Sequence, residues 1–561
     1  MDSARTGETD VGTGGACEAS PSSRRGLSFG GAVGVLVLVW LSLTPSLLPR
    51  GPLFQGVVTG AAAVVGYGLG VAVAALLGWM LQRRIGAAPN AVRWGLAVVA
   101  VAGTSVVLLW YSEWQSELRA LMGVDALPWY AYPIIVVVSV VAFAVLLAAA
   151  RGCSAAARWV GRQLGRVLPA RIAAVLGGVV VALVLVAAVN GVVAEVAMSA
   201  LNQTFKAVNE QSPEDTSEPV LTTRSGGPGS LVSWDSLGRQ GRIFVSNGPT
   251  AAELATFSGR TAPEPVRVYT GLDSADDVRA EADLAVAELR RTGGFDRAVL
   301  GVATTTGTGW INESTASALE YLANGDSALV SMQYSYLPSW ISFIVDQERA
   351  RQAGQALFEA VHAVWDTLPA DQRPKLVVFG ESLGSFGGEA AFASVQDMAA
   401  RTDGVLFVGP TATNPVWRDA TARRDPGSPQ TLPIYRDGHT VRFIAGAADL
   451  ARPATPWPSP RVVYLQHASD PITWWTPQLL FQKPDWLDEE RGEDVLPSTR
   501  WIPLVTFLQV SADMAVSVDV PDGHGHAFHA ALADAWAAIL APPDWTPADT
   551  ERLRGILRDE R

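Results

Sequence analysis

Five long apolar runs occupy the first 200 residues, at roughly 28–48, 53–81, 93–111, 130–150 and 171–197, and none carries a charge near its middle. About 20 apolar residues cross about 30 Å of hydrocarbon as a helix, and a helix satisfies its own backbone hydrogen bonds there. Such runs therefore commit this part of the chain to a helical membrane bundle of about five spans. Composition agrees: 49% of the 561 residues are hydrophobic and 17% are charged, against roughly 25% charge in soluble domains. Disorder of most of the chain is excluded, because it requires low hydrophobicity and high net charge. A disulfide scaffold is excluded by the presence of only two cysteines, Cys17 and Cys153.

The arginines orient the bundle. Arg24 and Arg25 precede the first run, Arg83 and Arg84 follow the second, and Arg151, Arg158, Arg162, Arg166 and Arg171 lie between the fourth and fifth. The other two connections carry Arg50 and Arg119 with Glu113, Glu117 and Asp125. Alternate loops are thus basic, which sets the N-terminus in the cytoplasm and everything after about residue 200 outside the plasma membrane. An interfacial or re-entrant segment among the five would reverse that conclusion. The first run is too long for a signal peptide and offers no A-x-A site, so it reads as a signal anchor. Arg24-Arg25 reads as positive flanking, not as a twin-arginine signal. Gly60, Gly66, Gly68 and Gly70 suit close helix packing. A transporter would set ionisable groups mid-membrane. Residues 151–170 read as an interfacial helix.

The net charge of −12 averages two unlike parts. Residues 1–200 hold 13 Arg and no Lys against 8 acids; the rest holds 29 basic residues against 46 acids. The acidic part argues against a nucleic-acid partner. The segments expected are a disordered tail at 1–26, the transmembrane domain at 27–200, a linker at 201–262, a catalytic domain at 263–545 and a C-terminal tail at 546–561. Within 263–545, β-type runs at 266–270, 298–303, 328–334, 375–379, 404–408, 441–445, 461–466 and 515–520 alternate with helical stretches such as 275–291, 347–367 and 385–401. Several are continuous apolar runs, as buried parallel strands are. The pattern predicts an α/β domain with a mostly parallel sheet.

One constellation carries chemistry. Leu376-Val377-Val378-Phe379 leads into Gly380-Glu381-Ser382-Leu383-Gly384 and a helix. A serine on a sharp strand–turn–helix junction needs small neighbours, and the turn exposes its hydroxyl with the Leu383 N–H aimed at a forming oxyanion. The acid and base should follow in the order Ser, acid, His. Asp470, in His467-Ala468-Ser469-Asp470-Pro471, ends one expected strand; Asp449 is a rival. The last expected strand runs into Gly523-His524-Gly525-His526-Ala527-Phe528-His529. Gly525-His526-Ala527-Phe528 fits the G-H-x-aromatic pattern, which favours His526 over His524 as base. A metal held by His524, His526 and His529 lacks an accompanying carboxylate or cysteine set, so no metal or cofactor is expected. The loop Ala303–Trp310, with Thr306 and Gly307, is the expected source of further oxyanion donors. Trp310, Tyr334, Tyr336, Trp340, Trp474 and Trp475 would crowd the strand tops as an acyl pocket or a membrane-facing rim. Residues 411–439 and 471–500 would cap the site.

Several strings together resemble the motifs of a family of actinobacterial multi-pass membrane proteins that join an N-terminal membrane domain to a C-terminal α/β-hydrolase catalytic domain. They are Ser42-Leu43-Thr44-Pro45-Ser46-Leu47-Leu48-Pro49-Arg50, Thr306-Gly307-Thr308-Gly309-Trp310, Gln333-Tyr334-Ser335-Tyr336-Leu337-Pro338-Ser339-Trp340, Gly380–Ser385, His467–Pro471 and Gly523–His526. The resemblance covers about residues 27–545. It implies the α/β-hydrolase fold and a serine nucleophile at Ser382, and it names no substrate.

The expected activity is that of a membrane-anchored serine esterase or lipase, with an acyl ester of a lipid or another apolar alcohol as substrate. The same acyl-enzyme would serve an acyltransferase of cell-envelope lipids. A membrane scaffold with a relict hydrolase domain is the non-enzymatic reading, and the presence of all three triad residue types argues against it.

Overall fold

A computed structural model describes residues 28–559 except 83–87, 191 and 215. The expected tail at 1–26, Cys17 and the pairs Arg24/Arg25 and Arg83/Arg84 lie outside the described residues, as does the side chain of Trp340.

Among the described residues six helical segments come first: α1 (Phe29–Ser42), α2 (Pro52–Met80), α3 (Asn90–Leu121), α4 (Ala131–Leu164), α5 (Ala170–Asn190) and α6 (Val192–Asn209). Four of them, α2 to α5, are long and apolar enough to cross a membrane. The first apolar run behaves differently from the others. Its helix has 14 residues, about 21 Å, and the chain leaves it at Leu43 and runs non-helically to Arg50. Pro45 and Pro49 supply no backbone N–H to continue the helix, and Pro52 starts α2 where its missing N–H is harmless. The interfacial helix expected at 151–170 is not a separate element, because α4 continues unbroken to Leu164. Its alanine-rich stretch holds no proline and a single glycine, Gly152, and 34 residues, about 51 Å, carry its arginines beyond the hydrocarbon.

Glycines set the helix contacts. A Cβ on Gly34 would lie 2.0 Å from the Gly66 carbonyl oxygen, and one on Gly70 would lie 2.0 Å from that of Gly30, so α1 and α2 run antiparallel in backbone contact. Gly56 abuts Val138 and Gly60 abuts Ala142, so α2 and α4 run parallel; Gly161 abuts Ala173 and Gly177 abuts Ala157, so α4 and α5 run antiparallel. Gly68 faces open space. The connections 43–51 and 122–130 therefore lie on one face of the bundle. The α4–α5 turn, with Arg162, Arg166 and Arg171, lies on the other.

The second half builds a parallel sheet from β1 (Val266–Thr270), β2 (Val299–Thr304), β3 (Ser327–Met332), β4 (Lys375–Glu381), β5 (Gly404–Val408), β6 (Val441–Ile444) and β7 (Arg461–Leu465), in the order β1-β3-β2-β4-β5-β7-β6. Alternate residues of each strand point to opposite faces, which splits the core in two. Val378, Val405, Phe407 and Tyr464 join one cluster; Val377, Phe379, Leu406 and Leu465 join the other. The first cluster also contains Leu47, Leu48, Leu118 and Met122. Membrane-domain side chains thus complete one face of the hydrolase core.

Two sequence expectations change here. Residues 515–520 form no strand: Met514–Val516 is a 3-10 turn. Val516 and Val520 are buried while Val518 is 64% exposed, the spacing of a turn and not of a sheet, whose alternate residues share one face. Residues 546–561 are not a loose tail over their described part, because Pro547–Asp559 is a helix with Leu553 and Leu557 buried. The expected linker is tied to the sheet. Arg224 bridges β1 at Arg267, and the buried Arg267 pairs with Glu320 at 2.7 Å and Glu313 at 2.6 Å.

Candidate active site

Ser382 joins β4 to the helix Leu383–Glu389 with φ 55° and ψ −121°. This conformation is costly for any residue with a Cβ. Its neighbours must be glycine. A Cβ on Gly380 would lie 2.4 Å from the Gly384 carbonyl oxygen, and one on Gly384 would lie 2.3 Å from that of Thr304. The Ser382 N–H donates to Val408 O on β5 at 2.8 Å. The turn is thereby wedged between β2 and β5 at the C-terminal edge of the sheet, where open α/β sheets bind ligands.

Asp470 and His526 converge on the same edge. His526 Nδ1 lies 2.7 Å from Asp470 Oδ2, and the carboxylate is fully buried. Asp470 also accepts the Ile472 N–H at 2.8 Å and the Thr473 hydroxyl at 3.0 Å, which hold it in one orientation. The imidazole lies against Gly409, where a Cβ would stand 2.5 Å from His526 Cε1. Gly409 directly follows Val408, the residue that accepts the Ser382 N–H. His526 Nε2 is buried without a hydrogen-bond partner among the described residues. Burial by itself would lower the imidazole pKa; the Asp470 carboxylate, with help from Glu381, outweighs it and holds His526 above its ordinary value.

The description "Alpha/beta-hydrolase family" belongs to the family model that matches residues 266–553, and "Alpha/beta-hydrolase family N-terminus" to the one that matches residues 43–249. The chain belongs to this α/β-hydrolase family. No curated protein and no solved structure matches it. The N-terminal family region starts at Leu43, the residue at which the first apolar run leaves its helix, so it includes the whole segment that enters the hydrolase core.

Within the family's catalytic region the alternative residues lie elsewhere. His524 and Asp449 line a polar cavity of about 1230 Å³ together with His467 and Asp494, and none of Ser382, Asp470 and His526 lines it. Asp449 caps its own turn by accepting the N–H groups of Ala445 at 2.8 Å and Gly446 at 3.1 Å. Among the oxyanion candidates, Leu383 opens the helix after Ser382, where N–H groups lack intrahelical acceptors. The Thr306 N–H donates to Trp310 O at 3.0 Å, which closes its glycine turn. Gly307 packs where a Cβ would meet Leu337 O at 2.4 Å.

Several supporting residues were not singled out from sequence. Asn312 donates to Glu381 at 2.6 Å, directly beside Ser382. Ser469 accepts the Gly525 N–H at 2.8 Å, and His467 contacts Gly525 O at 2.9 Å through Nδ1. Both residues lie in the string that supplies Asp470, and that proximity was the only available signal. The aromatic residues largely pack. Trp474 is buried and donates to His467 O at 3.1 Å, Trp475 donates to Ser511 at 2.7 Å, and Tyr334 is buried.

Proposed function

We propose that the protein is a membrane-anchored serine hydrolase that cleaves an acyl ester of a membrane lipid. Ser382 is the nucleophile, His526 the general base and Asp470 the residue that orients and charges it. The observation that carries this reading is the 2.7 Å contact between His526 and Asp470 beside a serine held at φ 55°. In the proposed reaction His526 Nε2 takes the Ser382 proton as Oγ attacks the ester carbonyl. The Leu383 N–H, with Gly307 as the candidate partner, stabilises the oxyanion, an effect worth about 3–4 kcal/mol per donor. The imidazolium returns its proton to the leaving alcohol. Water, activated by the same imidazole, releases the acyl group from Ser382.

A lipid substrate is supported by where the base loop lies. Leu48, from the connection that leads into α2, approaches Gly525 next to His526, which supports a site close to the bilayer surface. An extracytoplasmic site is supported by charge. Arg162, Arg166 and Arg171 lie on the bundle face opposite the hydrolase domain, and basic loops stay in the cytoplasm.

The test is labelling by a fluorophosphonate probe in intact cells, in membrane-permeant and impermeant forms. The expected result is labelling by both, lost in Ser382→Ala. Labelling that survives in Ser382→Ala would remove the nucleophile, and labelling by the permeant form alone would place the site inside. Cys153, far along α4 from the hydrolase face, is expected to resist an impermeant thiol reagent.

A further inference from the structure

Residues 43–50 form the bend between α1 and α2, yet all but Thr44 are buried as deeply as the hydrolase core. Leu48 is 0% exposed, Arg50 1% and Asp513 0%. The helix Val505–Asp513 receives the bend. Gln509 donates to Ser42 O at 3.3 Å and to Thr44 O at 2.8 Å. Asp513 accepts the Ser46 hydroxyl and the Leu47 N–H, the latter at 3.2 Å. Arg50 Nε lies 3.0 Å from Asp513 Oδ1 in ionic contact, without the alignment of a hydrogen bond. From α3, Arg119 donates to Arg50 O at 3.1 Å and to Asp125 O at 2.9 Å, which ties the second membrane connection to the first. An isolated buried carboxylate is too costly to retain. This one is matched by the membrane segment and by nothing on its own helix.

One turn beyond Asp513 the chain reaches the base. Ser517 O accepts the His526 N–H at 2.8 Å. The preceding peptide is held from the opposite side by Ser469 and His467. The membrane segment adds to this grip, because a Cβ on Gly525 would stand 2.7 Å from Ser517 O and Val520 Cγ2 and 3.3 Å from Leu48 Cδ2. The Gly525–His526 peptide is thus gripped by the loop after β7, by the turn after the docking helix and by Leu48.

We propose that Leu48 and Arg50 of the membrane domain are positioning residues for His526, so that the bundle is part of the catalytic unit and not only its anchor. Arg50 holds the docking helix through Asp513, and Leu48 closes the space into which the Gly525–His526 turn would otherwise relax. Small displacements of a catalytic group cost rate steeply, about 100-fold for 1 Å. The inference rests on the reading of His526 as general base.

The experiment uses the full chain in lipid nanodiscs. Leu48→Ala is compared with wild type, with the conservative Leu48→Met and Arg50→Lys, and with Leu109→Ala on the lipid face of α3 as a control. Three quantities are read: the fluorophosphonate labelling rate, its pH midpoint, and hydrogen–deuterium exchange of peptides spanning 514–530. The expected result for Leu48→Ala is a labelling rate lowered roughly 10- to 100-fold, a displaced pH midpoint and faster exchange in 514–530. Leu48→Met should recover most of the rate, and Leu109→Ala should match wild type. If Leu48→Ala does not fold, Arg50→Lys is read by the same three measures. Folded Leu48→Ala with wild-type rate, midpoint and exchange overturns the proposal, and so does folded Arg50→Lys where it stands in for Leu48→Ala. A lowered rate with unchanged midpoint and exchange also overturns it, because the loss would then come from outside the His526 turn. If wild type is not labelled at all but exchange in 514–530 rises in Leu48→Ala, the coupling stands and the hydrolase reading falls.

Discussion

Asp470 and His526 are 56 positions apart in sequence and 2.7 Å apart in the fold, with the carboxylate fully buried and the imidazole Nε2 without a hydrogen-bond partner among the described residues. A neutral imidazole in this contact donates its Nδ1 proton to Asp470, which leaves Nε2 as the acceptor. That tautomer is the one a base beside Ser382 requires.

Asp470→Asn should therefore retain the fold and lose function. The amide can hold the ring in the wrong tautomer and cannot stabilise the imidazolium, and the expected drop is about 10²- to 10⁴-fold. Burst labelling of purified protein in nanodiscs measures it. A loss under tenfold would place the working acid elsewhere.

The labelling rate should rise with pH, because only the neutral imidazole accepts a proton. Asp470 holds His526 above its ordinary value, so the midpoint should lie above that value in wild type and fall in Asp470→Asn. Linkage gives the matching stability effect. The folded state binds the His526 proton more tightly than the unfolded state. Its contribution is therefore full below the ordinary imidazole value and is lost as pH rises through the higher folded value. A rate profile flat across roughly pH 5 to 9 would exclude His526 as the titrating base.

Ser382→Gly and Ser382→Ala should both abolish labelling but differ in stability. The serine conformation, φ 55° and ψ −121°, stores roughly 1–3 kcal/mol of strain. Glycine relieves that strain, at an entropic cost of about 0.5–1 kcal/mol; alanine keeps it. Ser382→Gly is expected to unfold at a higher temperature than Ser382→Ala in the same detergent. Equal midpoints would mean that the elbow is unstrained.

Leu553→Ala tests the C-terminal helix. Leu553 is 0% exposed in a helix that packs against Glu313–Leu322 and Leu532–Leu540. The substitution should cost about 2–5 kcal/mol and expose 547–559 to limited proteolysis. Unchanged proteolysis would make the helix an appendage.

The features legible in the sequence are those whose causes are local. An uncharged apolar run becomes a membrane helix because its backbone cannot otherwise be satisfied in lipid. A serine between glycines after a buried strand announces the elbow, because only glycine fits where Thr304 O and Gly384 O approach. Continuous apolar runs become parallel strands covered on both faces. What only the tertiary structure decided rests on distant contacts. The pattern at 515–520 looked like a strand, yet Asp513 is held by Ser46, 467 positions away, and the chain beyond it turns. The same docking buries the bend that follows the first helix and draws Leu48 beneath Gly525. Distance likewise separates His526 from His524: two identical side chains two residues apart, of which only one reaches Asp470. Local sequence sets which conformations each segment can adopt, whereas partners 56 to 467 positions away decide which of them is bound.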